Sequence, residues 1–176
     1  MSDAQERKEF LTRTPFFGGL EGSALDLVIG MLAERHFPES ASVFQEGEQG
    51  RSMYIVRSGE LLKYQSSESG NLVKLMRFQP GDFFGETTLI EIQPRPFTVV
   101  AETDAELFEL TNMDLYRLYQ EDVHAYVMVL QNISRELCRR LRATDNRVTE
   151  YANEFGRTGT QISLDVRGLR LSKPDK

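Results

Sequence analysis

Hydrophobic residues change their spacing twice along the chain, and the changes divide it into three regions. Over residues 4–32 they fall at helical intervals, first in a short amphipathic segment that ends before Pro15 and then in a run with Ser23 as its candidate N-cap. Over residues 35–110 they form runs of strand length, separated by turn residues. The turn residues are Gly47, Gly50, Gly59, Gly70, Gly81, Pro38 and Pro80. Many short strands at close spacing predict an antiparallel β jelly-roll sandwich, mainly β, with N-terminal helices packed on it.

After residue 110 the spacing becomes helical again and continues to about residue 155. Thr111 and Asp114 stand where a helix cap is expected. One row of positions repeats every seventh residue, and a second row is offset from it by three. The rows are Val127, Ser134, Leu141 and Val148, and Leu130, Leu137, Thr144 and Tyr151. This mostly apolar seam predicts a parallel homodimer, and the alternative is a helix that packs only on its own sandwich.

One stretch between two strand-like runs carries the residues best suited to bind a small anion. It begins with Phe84-Gly85-Glu86 and ends with Arg95, ahead of a β-branched strand. Gly85 lets the backbone approach a ligand without a Cβ, and the N–H groups at the start of a helical turn point toward it. Glu86 accepts hydrogen bonds from sugar hydroxyls, whereas the Arg95 guanidinium offers a planar set of donors to a phosphate.

The spacing resembles the phosphate-binding cassette of cyclic nucleotide-binding domains, the effector module of catabolite activator proteins, protein kinase A regulatory subunits and cyclic nucleotide-gated channels. The matching residues are Phe84-Gly85-Glu86, Leu89, Pro94-Arg95 and Thr98-Val99, with no insertion or deletion. Together with the turn glycines they extend the resemblance over residues from about 10 to 150. The resemblance implies that Glu86 holds the ribose 2′-hydroxyl and Arg95 the cyclic phosphate. The implied ligand-binding stretch contains Phe84, Gly85, Glu86, Thr87, Thr88, Arg95, Pro96, Phe97 and Thr98.

Two residues depart from the family motif. Pro96 stands where a backbone N–H of the family helps to bind the phosphate, and proline has no N–H. A hydrogen bond to a charged group is worth ~1.5–3 kcal/mol, so we expect binding weakened roughly tenfold to a hundredfold. Phe97 replaces a small residue and narrows the pocket. An alternative therefore stays open, a ligand-free dimeric scaffold of the same fold in which Glu86 and Arg95 form an ion pair.

The long helix carries a further part of the resemblance. Residues Leu141 to Asp145 are similar to the stretch that closes over the purine in catabolite activator proteins, where a threonine contacts the base. This implies a base contact by Thr144. Asp145 replaces a serine, although a carboxylate accepting from an exocyclic amino group is chemically reasonable. The Thr144 hydroxyl has another candidate partner in the carbonyl one helical turn back.

The composition argues against several functions. The formal net charge is −6, and an acidic chain is a poor non-specific binder of nucleic acid or anionic membranes. No apolar run approaches the ~20 residues of a membrane span, and the first residues do not resemble a signal peptide, so we expect a cytoplasmic protein. The only histidines are His36 and His124, and the only cysteine is Cys138. We therefore predict no catalytic activity, no metal and no cofactor.

Together these features predict a regulatory module that senses a cyclic nucleotide, cAMP or cGMP, dimerises through its long helix and signals by binding another protein. The expected domain covers residues 1–155, with the dimerisation helix at about 112–155. Residues 156–176 are expected to form a flexible tail, and its pattern does not provide the two helices and connecting turn of a helix-turn-helix. A fragment of a transcription regulator that has lost its DNA-binding domain is the remaining alternative.

Overall fold

The computed structural model describes residues 3–67, 70–91 and 93–157. Helices precede, interrupt and follow a set of short strands. The N-terminal elements are α1 (Asp3–Thr12), a 3-10 turn (Pro15–Phe17) and α2 (Gly22–Met31). The strands are β1 (Ala33–Phe37), β2 (Ser42–Phe44), β3 (Ser52–Ser58), β4 (Leu61–Ser66), β5 (Leu72–Phe78), β6 (Phe83–Phe84), β7 (Thr98–Ala101) and β8 (Ala105–Thr111). The remaining helices are α3 (Thr87–Ile90), α4 (Asn112–Glu121) and α5 (Val123–Arg157).

The strands form two four-stranded sheets, with the orders β1-β8-β3-β6 and β2-β7-β4-β5. Every pairing between these strands is antiparallel. Alternate residues face inward, as strand geometry requires, and build one apolar core. Its buried members are Phe44, Tyr54, Val56, Leu61, Phe78, Phe84, Val99, Ala101, Ala105 and Leu107. The predicted antiparallel jelly-roll sandwich with flanking helices is confirmed.

The N-terminal helices are joined to the sandwich through a buried aromatic turn. The Phe16 ring lies 5.6 Å from the Phe83 ring, centroid to centroid. Asn132 of α5 donates through Nδ2 to the carbonyl oxygens of Phe16 and Gly18, at 2.9 and 2.8 Å. The predicted cap at Ser23 is wrong, because α2 begins at Gly22 and the residue before it makes no side-chain cap.

The C-terminal helical region consists of two helices, where the spacing predicted one. Thr111 caps α4 as predicted, in a capping box in which Asp114 N donates to Thr111 Oγ1 at 3.1 Å. Asp122 then adopts an extended conformation and ends α4. Its carboxylate accepts from the Ala125 N–H at 2.9 Å and starts α5.

The chain divides into two compact units after Arg135, so α5 is described in two parts. In the first part, the buried side chains Ala125, Val129, Asn132 and Ile133 form one stripe. The predicted seam lies on other positions of the helix. Its large exposed members are Val127, Leu141, Val148 and Tyr151, and Leu130 and Leu137 are half-buried. The predicted tail beyond residue 157 lies outside the described residues.

Candidate functional site

Gly85 forms the sharp connection between β6 and α3, at the start of the predicted cassette. Its φ of +80° lies in the left-handed region that favours glycine. A Cβ built on Gly85 would lie 2.8 Å from Arg95 Nη1 and 3.2 Å from the Ser52 carbonyl oxygen. Both the backbone conformation and the crowding therefore require glycine at this position.

Arg95 lies inside the protein, with 4% of its surface exposed. Its Nη1 donates to Thr88 Oγ1 at 2.8 Å and to the Gly85 carbonyl at 3.3 Å, and its Nη2 donates to Ser52 Oγ at 3.3 Å. The guanidinium carbon stands 4.0 Å from the centre of the Phe44 ring. The cation is thus held within the fold and does not point to solvent.

The electrostatic surroundings of Arg95 are unusual for a buried cation. Burial lowers its pKa, and Tyr54 when it is ionised, together with the carboxylates of Glu48, Glu109 and, least, Glu86, acts in the opposite direction. Among the described residues, every hydrogen bond from the guanidinium ends on a neutral oxygen. Glu86, the partner that the ligand-free alternative predicts, acts on Arg95 through its charge and accepts none of these three hydrogen bonds. Such an arrangement favours an anionic guest.

The acidic residue and the threonines of the cassette lie around the same turn. Glu86 is 3% exposed and stands immediately before α3. Thr88 is equally buried, and its hydroxyl accepts from Arg95 while donating to the Gly85 carbonyl at 2.9 Å. The Thr87 hydroxyl is buried and has no hydrogen-bond partner among the described residues. Arg95 is thus linked by hydrogen bonds to Gly85 and Thr88, and Glu86 lies between these two in the chain.

A depression of about 200 Å³ lies beside the cassette. Thr87, Thr88, Pro94 and Pro96 belong to its wall, and Pro96 is exposed there. Neither Glu86 nor Arg95 lines it. This depression therefore does not connect the two charges expected to share the ligand.

Three further predicted ligand residues make contacts of a structural kind. The Phe84 ring is fully buried and stacks on Phe78, with the centroids 4.7 Å apart. Phe97 is half-buried and packs 5.7 Å from the Phe44 ring, while Lys63 Nζ lies 3.9 Å above it. Thr98 Oγ1 accepts from the Glu46 N–H at 3.0 Å. Any ligand contact of Phe84 would therefore come from its backbone.

Thr144 and Asp145 lie on α5, in the second unit. Both side chains are exposed. The Thr144 hydroxyl donates to the Arg140 carbonyl at 2.9 Å, the partner one turn back that the sequence left open. Contact of these two residues with a base stays a prediction.

The sequence motif did not identify Ser52, Tyr54 or Glu109 as neighbours of Arg95. Ser52 accepts a hydrogen bond from the guanidinium, the Tyr54 hydroxyl lies next to Ser52, and the Glu109 charge acts on the guanidinium. The sole local signal was the alternation of strand β3, which places Ser52 and Tyr54 on the same face. Glu109 carried no such signal, because it stands 55 positions after Tyr54.

The described part of the chain carries neither a metal site nor a membrane-spanning helix. No group of three or more histidine, cysteine, aspartate or glutamate side chains is arranged to hold a metal ion there. No described helix combines the length and the apolar character that crossing a membrane requires.

Comparison with known proteins gives a consistent family. The model of the cyclic nucleotide-binding domain matches residues 34–122, just over half of the chain. The Cyclic AMP receptor protein of Thermus thermophilus is 30% identical over 151 residues, which cover 86% of this chain and 68% of that protein. A CRP-like cAMP-activated global transcriptional regulator of Mycobacterium tuberculosis is 29% identical over 156 residues, covering 88% and 68%.

Solved structures with a similar fold belong to the same family of proteins. The crystal structure of Thermus thermophilus catabolite activator protein matches with a TM-score of 0.70 at 29% identity, covering 78% of this chain and 63% of that chain. This chain thus spans less than two thirds of the protein in that crystal structure. A cyclic nucleotide-binding domain from Methylobacillus flagellatus has the same fold, with a TM-score of 0.75 at 19% identity over 84% of this chain and 83% of that chain. The family match, joined to the glycine turn and the inward-facing Arg95, shows that this chain belongs to the cyclic nucleotide-binding domain family.

Proposed function

We propose that this protein is a regulatory module that binds a cyclic nucleotide at Arg95 and Glu86. The supporting observation is the buried Arg95 guanidinium, whose described partners are all neutral oxygens. These bonds use three of the five N–H hydrogens of a guanidinium. A phosphodiester would supply the missing negative charge and accept from the remaining donors.

The names of the relatives indicate which nucleotide to test first. Both curated relatives are named for cAMP, so cAMP is the first ligand to test and cGMP the second. The missing N–H of Pro96 removes a donor from the phosphate site. We therefore expect an affinity roughly tenfold to a hundredfold below that of a cassette with this N–H.

The output we propose is a parallel homodimer, formed through the α5 seam, that acts on a partner protein. Within the first unit, the stripe of α5 that packs on its own domain is not the seam, since Val129 and Ile133 are buried and Val127 is exposed. Leu141, Val148 and Tyr151 continue the exposed apolar row. Apolar rows of this length indicate an interaction surface.

The ligand proposal is tested by isothermal titration of the protein with cAMP, cGMP and cyclic di-GMP. We expect heat with cAMP or cGMP, and an affinity at least about tenfold lower in Arg95→Ala, because a charged hydrogen bond is lost. The matched control is Arg77→Ala, which removes an exposed arginine paired with Glu60 and Glu102. Circular dichroism verifies that each variant is folded.

Two outcomes contradict the proposal. Equal affinity in Arg95→Ala and in the parent protein would place the ligand elsewhere. No heat with any of the three nucleotides would favour the ligand-free scaffold, in which the internal bonds of Arg95 only stabilise the fold.

A further inference from the structure

Arg95 is the first member of a chain of hydrogen bonds that runs through the inside of the sandwich. Its Nη2 donates to Ser52 Oγ at 3.3 Å, and Ser52 Oγ lies 3.2 Å from the Tyr54 hydroxyl. The Tyr54 hydroxyl lies 3.2 Å from Glu109 Oε1. Arg35 Nε donates to the other oxygen of that carboxylate at 2.7 Å. Two hydroxyl groups therefore connect a buried cation to a carboxylate.

The chemistry of the two ends determines the direction of every bond between them. A guanidinium can only donate, and an ionised carboxylate can only accept. Ser52 therefore accepts from Arg95 and donates to Tyr54, and Tyr54 donates to Glu109. Each hydroxyl has one hydrogen, so reversing either one would break the chain.

The surroundings make this chain energetically significant. Ser52 and Tyr54 are 7% and 8% exposed, and the Glu109 side chain is 13% exposed. Burial raises the pKa of Tyr54, so its hydroxyl keeps its hydrogen in neutral solution. In a low-dielectric interior, aligned hydrogen bonds polarise one another, and an unpaired polar group is costly.

An indirect link also differs from a direct ion pair in its consequence for a ligand. A carboxylate in contact with Arg95 would neutralise the cation and compete with a phosphate for its donors. With Ser52 and Tyr54 in between, Glu109 stabilises the buried charge but leaves it without a bonded anion. The outer side of Glu109 is paired with Arg35, which is largely exposed.

We propose that Ser52, Tyr54 and Glu109 are positioning residues that hold the Arg95 guanidinium ready for the ligand phosphate. This inference rests on the proposed function for its ligand, while the positioning itself is a property of the ligand-free protein. Removal of the Tyr54 hydroxyl leaves the Ser52 hydroxyl without its acceptor, so this hydroxyl can rotate and no longer holds a lone pair fixed toward Nη2 of Arg95.

The positioning is tested in the ligand-free protein by NMR of the arginine side chains. The Arg95 Nη2–H signal is assigned by its loss in Arg95→Lys. In Tyr54→Phe we expect the solvent exchange of this N–H to be about 3- to 10-fold faster, the factor equivalent to one lost hydrogen bond. Tyr126→Phe, a substitution in α5, is the control and should leave the signal unchanged.

An unchanged Arg95 signal in Tyr54→Phe would overturn the proposal. Glu109→Gln is the second variant, should Tyr54→Phe fail to fold. Its side chain keeps the size of glutamate but no longer carries the charge that orients the hydroxyls, so the same acceleration is expected. No change in that variant would contradict the proposal equally.

Titration with cAMP then separates this inference from the proposed function. In Tyr54→Phe the affinity should fall about 3- to 10-fold, and in the Arg95→Lys background the same substitution should have no further effect. A fall of equal size in both backgrounds would show a general structural role and overturn the positioning. If the parent protein binds no nucleotide, the proposed function fails, and the NMR result alone decides whether the chain holds Arg95.

Discussion

At the scale of single residues, Gly85 and Gly47 share a left-handed backbone but differ in what surrounds them. Their φ angles are +80° and +87°. A Cβ on Gly47 meets no atom within 4 Å, whereas a Cβ on Gly85 meets Arg95 Nη1 at 2.8 Å. A substitution at Gly47 therefore measures backbone strain alone, whereas one at Gly85 measures strain together with crowding of the site.

We expect Gly47→Ala to lower the free energy of unfolding by about 1–2 kcal/mol, the cost of a left-handed alanine. Gly85→Ala should lower it further and also weaken cyclic nucleotide binding, because Arg95 must move away from the new Cβ. Urea denaturation and titration with cAMP measure the two effects. Equal losses of stability and unchanged binding in Gly85→Ala would contradict the close approach.

The raised pKa of Tyr54 leads to a prediction about the pH dependence of stability. Its pKa in the folded protein is raised, chiefly by burial, from an ordinary value near 10. Above pH ~10 the unfolded chain loses this proton while the folded protein keeps it, so the stabilisation is complete below that pH and falls as pH rises through the folded pKa. The stability advantage of the parent protein over Tyr54→Phe should therefore be constant up to about pH 10 and shrink in the interval above it. Urea denaturation of both proteins across this interval measures the change. A difference in the free energy of unfolding that stays constant with pH would contradict the prediction.

At the scale of secondary structure elements, the helix ends show what local sequence can predict. Thr111 and Asp114 cap α4 as expected, since both members of the box lie within one turn. The expected cap at Ser23 fails, and α2 instead begins at Gly22 with a φ of +55°. The break at Asp122 went unpredicted, because an aspartate in a helical pattern carries no breaking signal comparable to proline or glycine.

The α4 cap gives a prediction at this scale. Thr111→Ala removes the acceptor of the Asp114 N–H, and we expect the free energy of unfolding to fall by about 1 kcal/mol. Thr149→Ala is the control, because its hydroxyl bonds the Asp145 carbonyl within α5 and is exposed. Urea denaturation measures both. A loss of stability in Thr149→Ala equal to that in Thr111→Ala would show that the cap contributes nothing specific.

At the scale of the whole molecule, the exposed seam of α5 predicts a dimer. Leu137 lies in the second row of the seam, between Leu130 and Thr144. A charge at this position would be buried in a helix pair without a partner, which is strongly unfavourable. We expect twice the monomer mass for the parent protein in sedimentation equilibrium and the monomer mass for Leu137→Asp.

Asn146→Asp introduces the same charge two positions before the seam residue Val148 and serves as the control. It should keep the dimer mass. A parent protein that sediments as a monomer, or a Leu137→Asp variant that remains a dimer, would contradict pairing through this helix.

The amino-acid sequence alone determined the alternating strands, the glycine turns and the spacing of the cassette, because these depend on neighbours within a few residues. These features predict the jelly roll, and they identify Glu86 and Arg95 together as candidate ligand residues. The heptad seam is local information of the same kind, and its function stays a prediction.

The tertiary structure alone decided that Ser52, Tyr54 and Glu109 lie around Arg95. Ser52 stands 43 positions before it, and Tyr54 meets Glu109 only because β3 and β8 pair in the register that places these two residues opposite each other. Register depends on the packing of a whole inner face and not on any short motif. For this reason the cassette sequence identified the cation, while only the folded sandwich revealed what holds it in place.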